Sequence, residues 1–119
     1  MGRRPKCRMI AGMPGVTYFK PRAVPLRDLS QSCLTVDELE ALRLADLEGL
    51  EQEEGGRRME VSRQTFARIV RSARRKVADA LVNGKAICIQ GGHYQMPPGP
   101  PPWAGGRGRG RGRWGRGGE

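Results

Sequence analysis

The stretch VSRQTFARIVRSARRKVADAL, residues 61 to 81, limits what this chain can fold into more than any other. Phe66, Ile69, Val70, Ala73, Val77, Ala80 and Leu81 recur at the spacing of one helical face, so the segment reads as a helix with that face against a core. Ser62 is a suitable start, because its hydroxyl can accept a hydrogen bond from an otherwise unpaired amide of the first turn. Asn83-Gly84 is a strong stop. The expected helix, 63 to 82, is about 30 Å long at a rise of roughly 1.5 Å per residue. Its remaining faces carry Arg63, Arg68, Arg71, Arg74, Arg75 and Lys76 against Asp79 alone. A surface this basic suits a polyanion.

Upstream, Thr35 and Glu38 fit a capping box. They precede VDELEALRLADLEGL, where Val36, Leu39, Leu42, Ala45, Leu47 and Leu50 form a second helical stripe. This helix is expected from about 36 to 47, ending near Gly49. Between residues 35 and 54, Asp37, Glu38, Glu40, Asp46, Glu48, Glu51, Glu53 and Glu54 are opposed only by Arg43. These acids read as a solvated face that repels polyanions. A short polar helix from about 51 to 59, a tight turn at Glu60-Val61 and the capped basic helix then make a helix-turn-helix. In that geometry the second helix enters the major groove with its N-terminal residues at base edges.

Ser62, Arg63, Gln64, Thr65, Arg68 and Arg71 are therefore the expected DNA-binding residues. Arginine pairs well with guanine, glutamine with adenine, and threonine approaches a base or a phosphate. Arg74, Arg75 and Lys76 lie too far along the helix to read the same bases, and divide between nonspecific phosphate contacts and solvation. The bland alternative is a solvated basic face over a core stripe. The turn and the cap favour docking.

Length and composition bound the rest. A chain of 119 residues suffices for one small domain with tails. Residues 1 to 34 form a basic arm with strand-leaning runs at 7 to 10 and 16 to 19, and residues 35 to 92 hold the helix-turn-helix, closing on a brief strand at 86 to 90. Residues 93 to 119, proline-rich and then Arg-Gly, lack the apolar surface to offset ordering entropy. The expected fold class is thus mainly α, a helix-turn-helix domain with short flanking β strands and a disordered C-terminal tail. In that tail Arg107, Arg109, Arg111, Arg113 and Arg116 suit nonspecific nucleic-acid contacts, with Trp114 available to stack; a solubilising linker is the alternative.

Lys and Arg number 22 against 12 acids, for a net charge of +10. The sequence has no apolar run of the ~20 residues a bilayer demands and no signal-peptide core, so a soluble, cytoplasmic protein without a membrane partner is expected. Cys7, Cys33 and Cys88 form neither an even set nor a C-x-x-C pair and read as reduced thiols. Cys7 and Cys88 would face each other if their strands pair. With His93 the cysteines could formally bind zinc, but their spacing does not favour it. No metal or other cofactor is expected. His93 is the lone histidine, and no Ser-His pair or phosphate loop accompanies it, so the chain does not read as an enzyme.

The run LADLEGLEQEEGGRRMEVSRQTFARIVRSARRKVADALVNGKAI resembles the family called domain of unknown function 134, small predicted DNA-binding proteins of bacteria and archaea. Its helix pair is similar to region four of sigma factors. The resemblance takes in PGVTYFKP and TVDELEALRLADLEGL, covers roughly residues 3 to 92, and implies DNA binding through the helix-turn-helix. Gly55 and Gly56 depart from the small helix formers usual there, at about 1 kcal/mol each relative to alanine. Glu60 stands where glycine is common because positive φ is favourable. Both departures read as weakening the support helix. The expectation is a sequence-specific binder of double-stranded DNA, a transcriptional regulator, homodimeric if its site is palindromic. The alternative is an RNA-binding or RNA-chaperone-like protein driven by the Arg-Gly tail, with the helix pair packed on another protein.

Overall fold

The computed structural model describes residues 7–97. Arg107, Arg109, Arg111, Arg113 and Arg116 lie outside the described residues, with most of the segment expected to be disordered.

Helix α3 (Arg63–Asn83) begins where its cap places it: Ser62 is extended and its Oγ accepts from the Thr65 amide at 3.0 Å. It stops at Gly84, which takes the left-handed conformation with φ 65°. Phe66, Ile69, Val70, Ala73 and Ala80 are buried along one face, as the periodicity requires. Leu81, expected on that face, is 75% exposed. Successive positions lie about 100° apart on a helix, and Ala80 takes the inward direction in the last turn.

Helix α1 (Val36–Leu42) carries the reciprocal cap, with the Glu38 amide donating to Thr35 Oγ1 at 3.2 Å and the Thr35 amide to Glu38 Oε1 at 2.9 Å. The helix expected as far as 47 does not continue as α. Residues Arg43–Leu47 form a π turn, closed by the Glu48 amide donating to the Arg43 carbonyl at 2.8 Å. That wider turn breaks the 3.6-residue rhythm on which the stripe depended. Within it Leu44 enters the core beside Ala41 of α1, while Leu47 is 75% exposed.

Helix α2 (Gln52–Met59) lies against α3. A Cβ on Gly55 would overlap the Phe66 ring, and one on Gly56 would stand 2.9 Å from the Val61 carbonyl oxygen. Gly55 is thus a condition for close packing of α2 on α3 and Gly56 for the tight turn between them, which corrects their reading as a weakness. Glu60 adopts the left-handed conformation, φ 60° and ψ 41°, that the turn demands.

Short strands tie the chain ends to the helices. β1 (Arg8–Met9) pairs in parallel with β5 (Tyr94–Gln95). β4 (Ala86–Ile89) lies between β2 (Tyr18–Phe19), antiparallel to it, and β3 (Gln31–Leu34), parallel to it. β3 and β5 have no counterpart in the sequence reading, and β5 falls where disorder was expected to have begun. Ile10 and Leu34 share one core cluster with Val36, Ala73 and Ile89, so residues before 35 pack with those after it. A second cluster joins Ala41, Leu44, Met59, Phe66, Ile69 and Val70. The β3–β4 register sets Cys33, not Cys7, opposite Cys88. Cys7 precedes β1, in the other sheet. The described architecture is three helices with short strands.

Candidate nucleic-acid interface

The acids of α1 are not solvated, contrary to expectation. Asp37, Glu38 and Glu40 are buried, which a carboxylate tolerates only with partners. Arg8 Nη1 donates to Asp37 Oδ2 at 2.7 Å, and Arg43 donates to both Glu40 oxygens at 2.8 and 2.9 Å. Glu38 accepts from Lys76 Nζ at 2.8 and 3.0 Å and from Ser72 Oγ at 2.6 Å. Burial alone would raise its pKa; the hydrogen bonds from Lys76, Ser72 and the Thr35 amide outweigh burial and hold it below the ordinary value.

The basic residues of α3 divide into two sets. Lys76 is committed to Glu38, and Arg74 forms a two-point contact with Asp46 at 3.0 and 2.6 Å. That contact raises the Arg74 pKa and lowers that of Asp46. These ion pairs link α3 to α1 and the π turn. Arg63, Arg68, Arg71 and Arg75 are exposed, and no ion pair holds them among the described residues.

At about 100° per residue, Gln64, Arg68, Arg71 and Arg75 fall on one outward stripe opposite Phe66, Ala73 and Ala80. Arg63 stands on the flank nearer the start of α2, lining a hollow of about 540 Å³ with Leu50, Glu51 and Phe66. Ser62 and Thr65 are engaged with each other, Oγ to Oγ1 at 3.0 Å, and Thr65 Oγ1 also accepts from Arg68 Nη2 at 3.3 Å. Their first task is to hold the helix start. On α2, Arg57 and Arg58 both pair with Glu54, so its exposed charge is largely matched.

On the other side of α3 lies a hollow of about 1040 Å³, lined among others by Arg68, Arg75, Lys76, Arg8 and His93. The last two were not singled out as contacts. No local signal could have found them, because β1 and β5 bring them together from opposite ends of the described chain. Among the described residues, no group of three or more His, Cys, Asp or Glu side chains is placed to hold a metal ion. No described helix is long and apolar enough to cross a membrane.

The family described as "Protein of unknown function DUF134" matches residues 1–97, and the chain belongs to it. The chain is 64% identical over 96 residues to a UPF0251 protein of Moorella thermoacetica, covering 81% of this chain and 64% of that relative. A UPF0251 protein of Thermoanaerobacter pseudethanolicus is 62% identical over 96 residues, with 81% of each chain covered. One of Desulfosudis oleivorans is 63% identical over 94 residues, covering 79% of this chain and 68% of that one. The chain thus spans just under two thirds of the Moorella relative. No solved structure matches it.

Proposed function

We propose that the protein binds double-stranded DNA with sequence preference through a helix-turn-helix made of α2, the Glu60 turn and α3, and acts as a transcriptional regulator. The observation that carries this reading is the division of charge on α3. Arg74 and Lys76 are paired with Asp46 and Glu38 within the fold, while Arg68, Arg71 and Arg75 stand with Gln64 on one exposed stripe without ion pairs. A merely solvated helix has no need of such sorting. An exposed helix with unpaired arginines and a glutamine at its N-terminal half has the shape and donor set for the major groove. Close packing of α2 through Gly55, with the tight turn that Gly56 allows, supplies the rigid support that base reading needs.

Selection of fragments bound by the full chain from random duplex DNA tests the reading. An enriched motif is expected, and two half-sites about 34 Å apart would add a homodimer to it. Failure to enrich any duplex motif, together with tighter binding of single-stranded RNA, would replace it with the tail-driven alternative.

A further inference from the structure

The hollow of about 1040 Å³ beside α3 is a groove whose α3 wall is basic and whose opposite wall holds Arg8 beside His93. Arg68, Arg71 and Arg75 belong to one; Arg8 and His93 belong to the other, where the Arg8 amide donates to the His93 carbonyl at 3.0 Å. We propose that this groove seats the sugar-phosphate backbone of one strand of the duplex that α3 reads, with Arg8 as a pre-positioned phosphate ligand. The proposal rests on the DNA-binding reading above.

Position favours it first. Arg68, Arg71 and Arg75 belong both to the outward stripe and to the groove wall, so a duplex laid on the stripe brings its flanking strand to the groove. Length is compatible. From Arg68 to Arg75 the helix rises about 10 Å, longer than the separation of two adjacent phosphates on one strand, so these arginines can meet more than one. Charge agrees as well, because the acids in the groove are already partnered: Asp37 by Arg8, Glu38 by Lys76 and Asp79 by Lys85 at 2.9 Å. The arginines of the α3 wall are left in excess.

Arg8 is the distinctive element. Its guanidinium offers a fixed fork of N–H donors, of which Nη1 meets Asp37 Oδ2 at 2.7 Å. The Arg8 side chain is 24% exposed, whereas that of Asp37 is only 4% exposed. Asp37 Oδ1 is buried and has no hydrogen-bond partner among the described residues. The carboxylate therefore depends on Arg8 for neutralisation, and in return it fixes the guanidinium in one orientation before any ligand arrives. Ordering costs on binding fall accordingly. The outward donors remain available for a phosphate oxygen, a charge-assisted contact.

Arg8→Gln combined with Asp37→Asn tests this in the full chain, since an uncharged pair leaves no orphaned buried carboxylate. Circular dichroism melting checks the fold, and affinity for a random-sequence duplex is measured across a series of KCl concentrations. The double variant is expected to bind all duplexes about fivefold to tenfold more weakly, with the slope of log K against log salt reduced by about 0.9 and the preferred motif unchanged. His93→Glu, at an exposed position, is a second variant that does not disturb the core. It is expected to weaken binding of every duplex by a similar factor. Wild-type affinity and slope in either folded variant would overturn the groove while leaving α3 as the reader. Loss of the motif preference would also overturn it, by making Arg8 a base contact. A wild-type chain that binds no duplex would sink both readings. Displacement of duplex by inorganic phosphate, beyond what KCl of equal ionic strength achieves, would assign the groove to a free anion instead.

Discussion

Helix α1 turns Asp37, Glu38 and Glu40 toward the rest of the molecule, where Arg8, Lys76 and Arg43 receive them, whereas α3 turns Arg68, Arg71 and Arg75 away from it. Both helices are dense in charge, and the density alone does not distinguish them. Burial does. A carboxylate withdrawn from water has to be paired and hydrogen-bonded, so the α1 acids act as fasteners joining the N-terminal arm, the π turn and the middle of α3. On α3 the inner face is occupied by Phe66, Ile69, Val70 and Ala73. The arginines between them are pushed outward, and no ion pair holds them in the described fold. One helix uses its charge for cohesion, and the other leaves three arginines exposed and without an ion pair in the described fold.

The comparison is most exposed at Glu38. Glu38→Ala removes the return arm of the capping box together with the Lys76 and Ser72 contacts, and is expected to cost about 3 kcal/mol in denaturant unfolding. Arg71→Ala should stay within about 0.5 kcal/mol of wild type; equal losses would erase the distinction between the helices. Next in size is the inner face of α3. Gly55→Ala would normally gain about 1 kcal/mol in a helix, but its methyl would overlap the buried Phe66 ring. A net loss of about 2 kcal/mol is expected, and a raised melting temperature would show that the ring has room to move.

The outer face of α3 can be divided by two substitutions. Arg68→Ala should cost about 1.5 kcal/mol in affinity for the preferred duplex, while Arg74→Ala, whose guanidinium is held by Asp46, should change it little. Equal effects in a binding titration would mean that ion pairing within the fold does not select the contacting arginines. The smallest expected effect is on pH. The lowered native pKa of Glu38 contributes stability that is fully present above its ordinary value of 4.5 and is lost as pH falls through the lowered value. Below pH 4.5 the wild type should lose stability more steeply than Glu38→Gln, and parallel acid unfolding curves would deny Glu38 that role.

The bounds of α3 were legible because Ser62 and Gly84 are strong local signals, and the Thr35–Glu38 capping box was legible for the same reason. The arginines placed at the start of α3 were visible as outward residues once Phe66, Ile69 and Val70 defined the inward direction. Gly55 and Gly56 were visible but misjudged. Helix propensity counts what a residue does to its own helix, whereas Gly55 makes room for the Phe66 ring of the next helix and Gly56 for the backbone of the turn at Val61.

What the sequence determined by itself is therefore local: where helices start and stop, which face of α3 is apolar, and that the chain carries a large basic excess. Tertiary structure alone decided which charges are paired within the fold and which are not. Lys76 meets Glu38 from 38 positions away, Arg8 meets Asp37 from 29, and Cys33 faces Cys88 through a parallel pairing with no turn to announce it. Caps and periodicity act within a few residues and leave a trace in the order of side chains. Ion pairs across elements and parallel strand registers depend on how separate elements pack, and the linear order holds no signal of that distance.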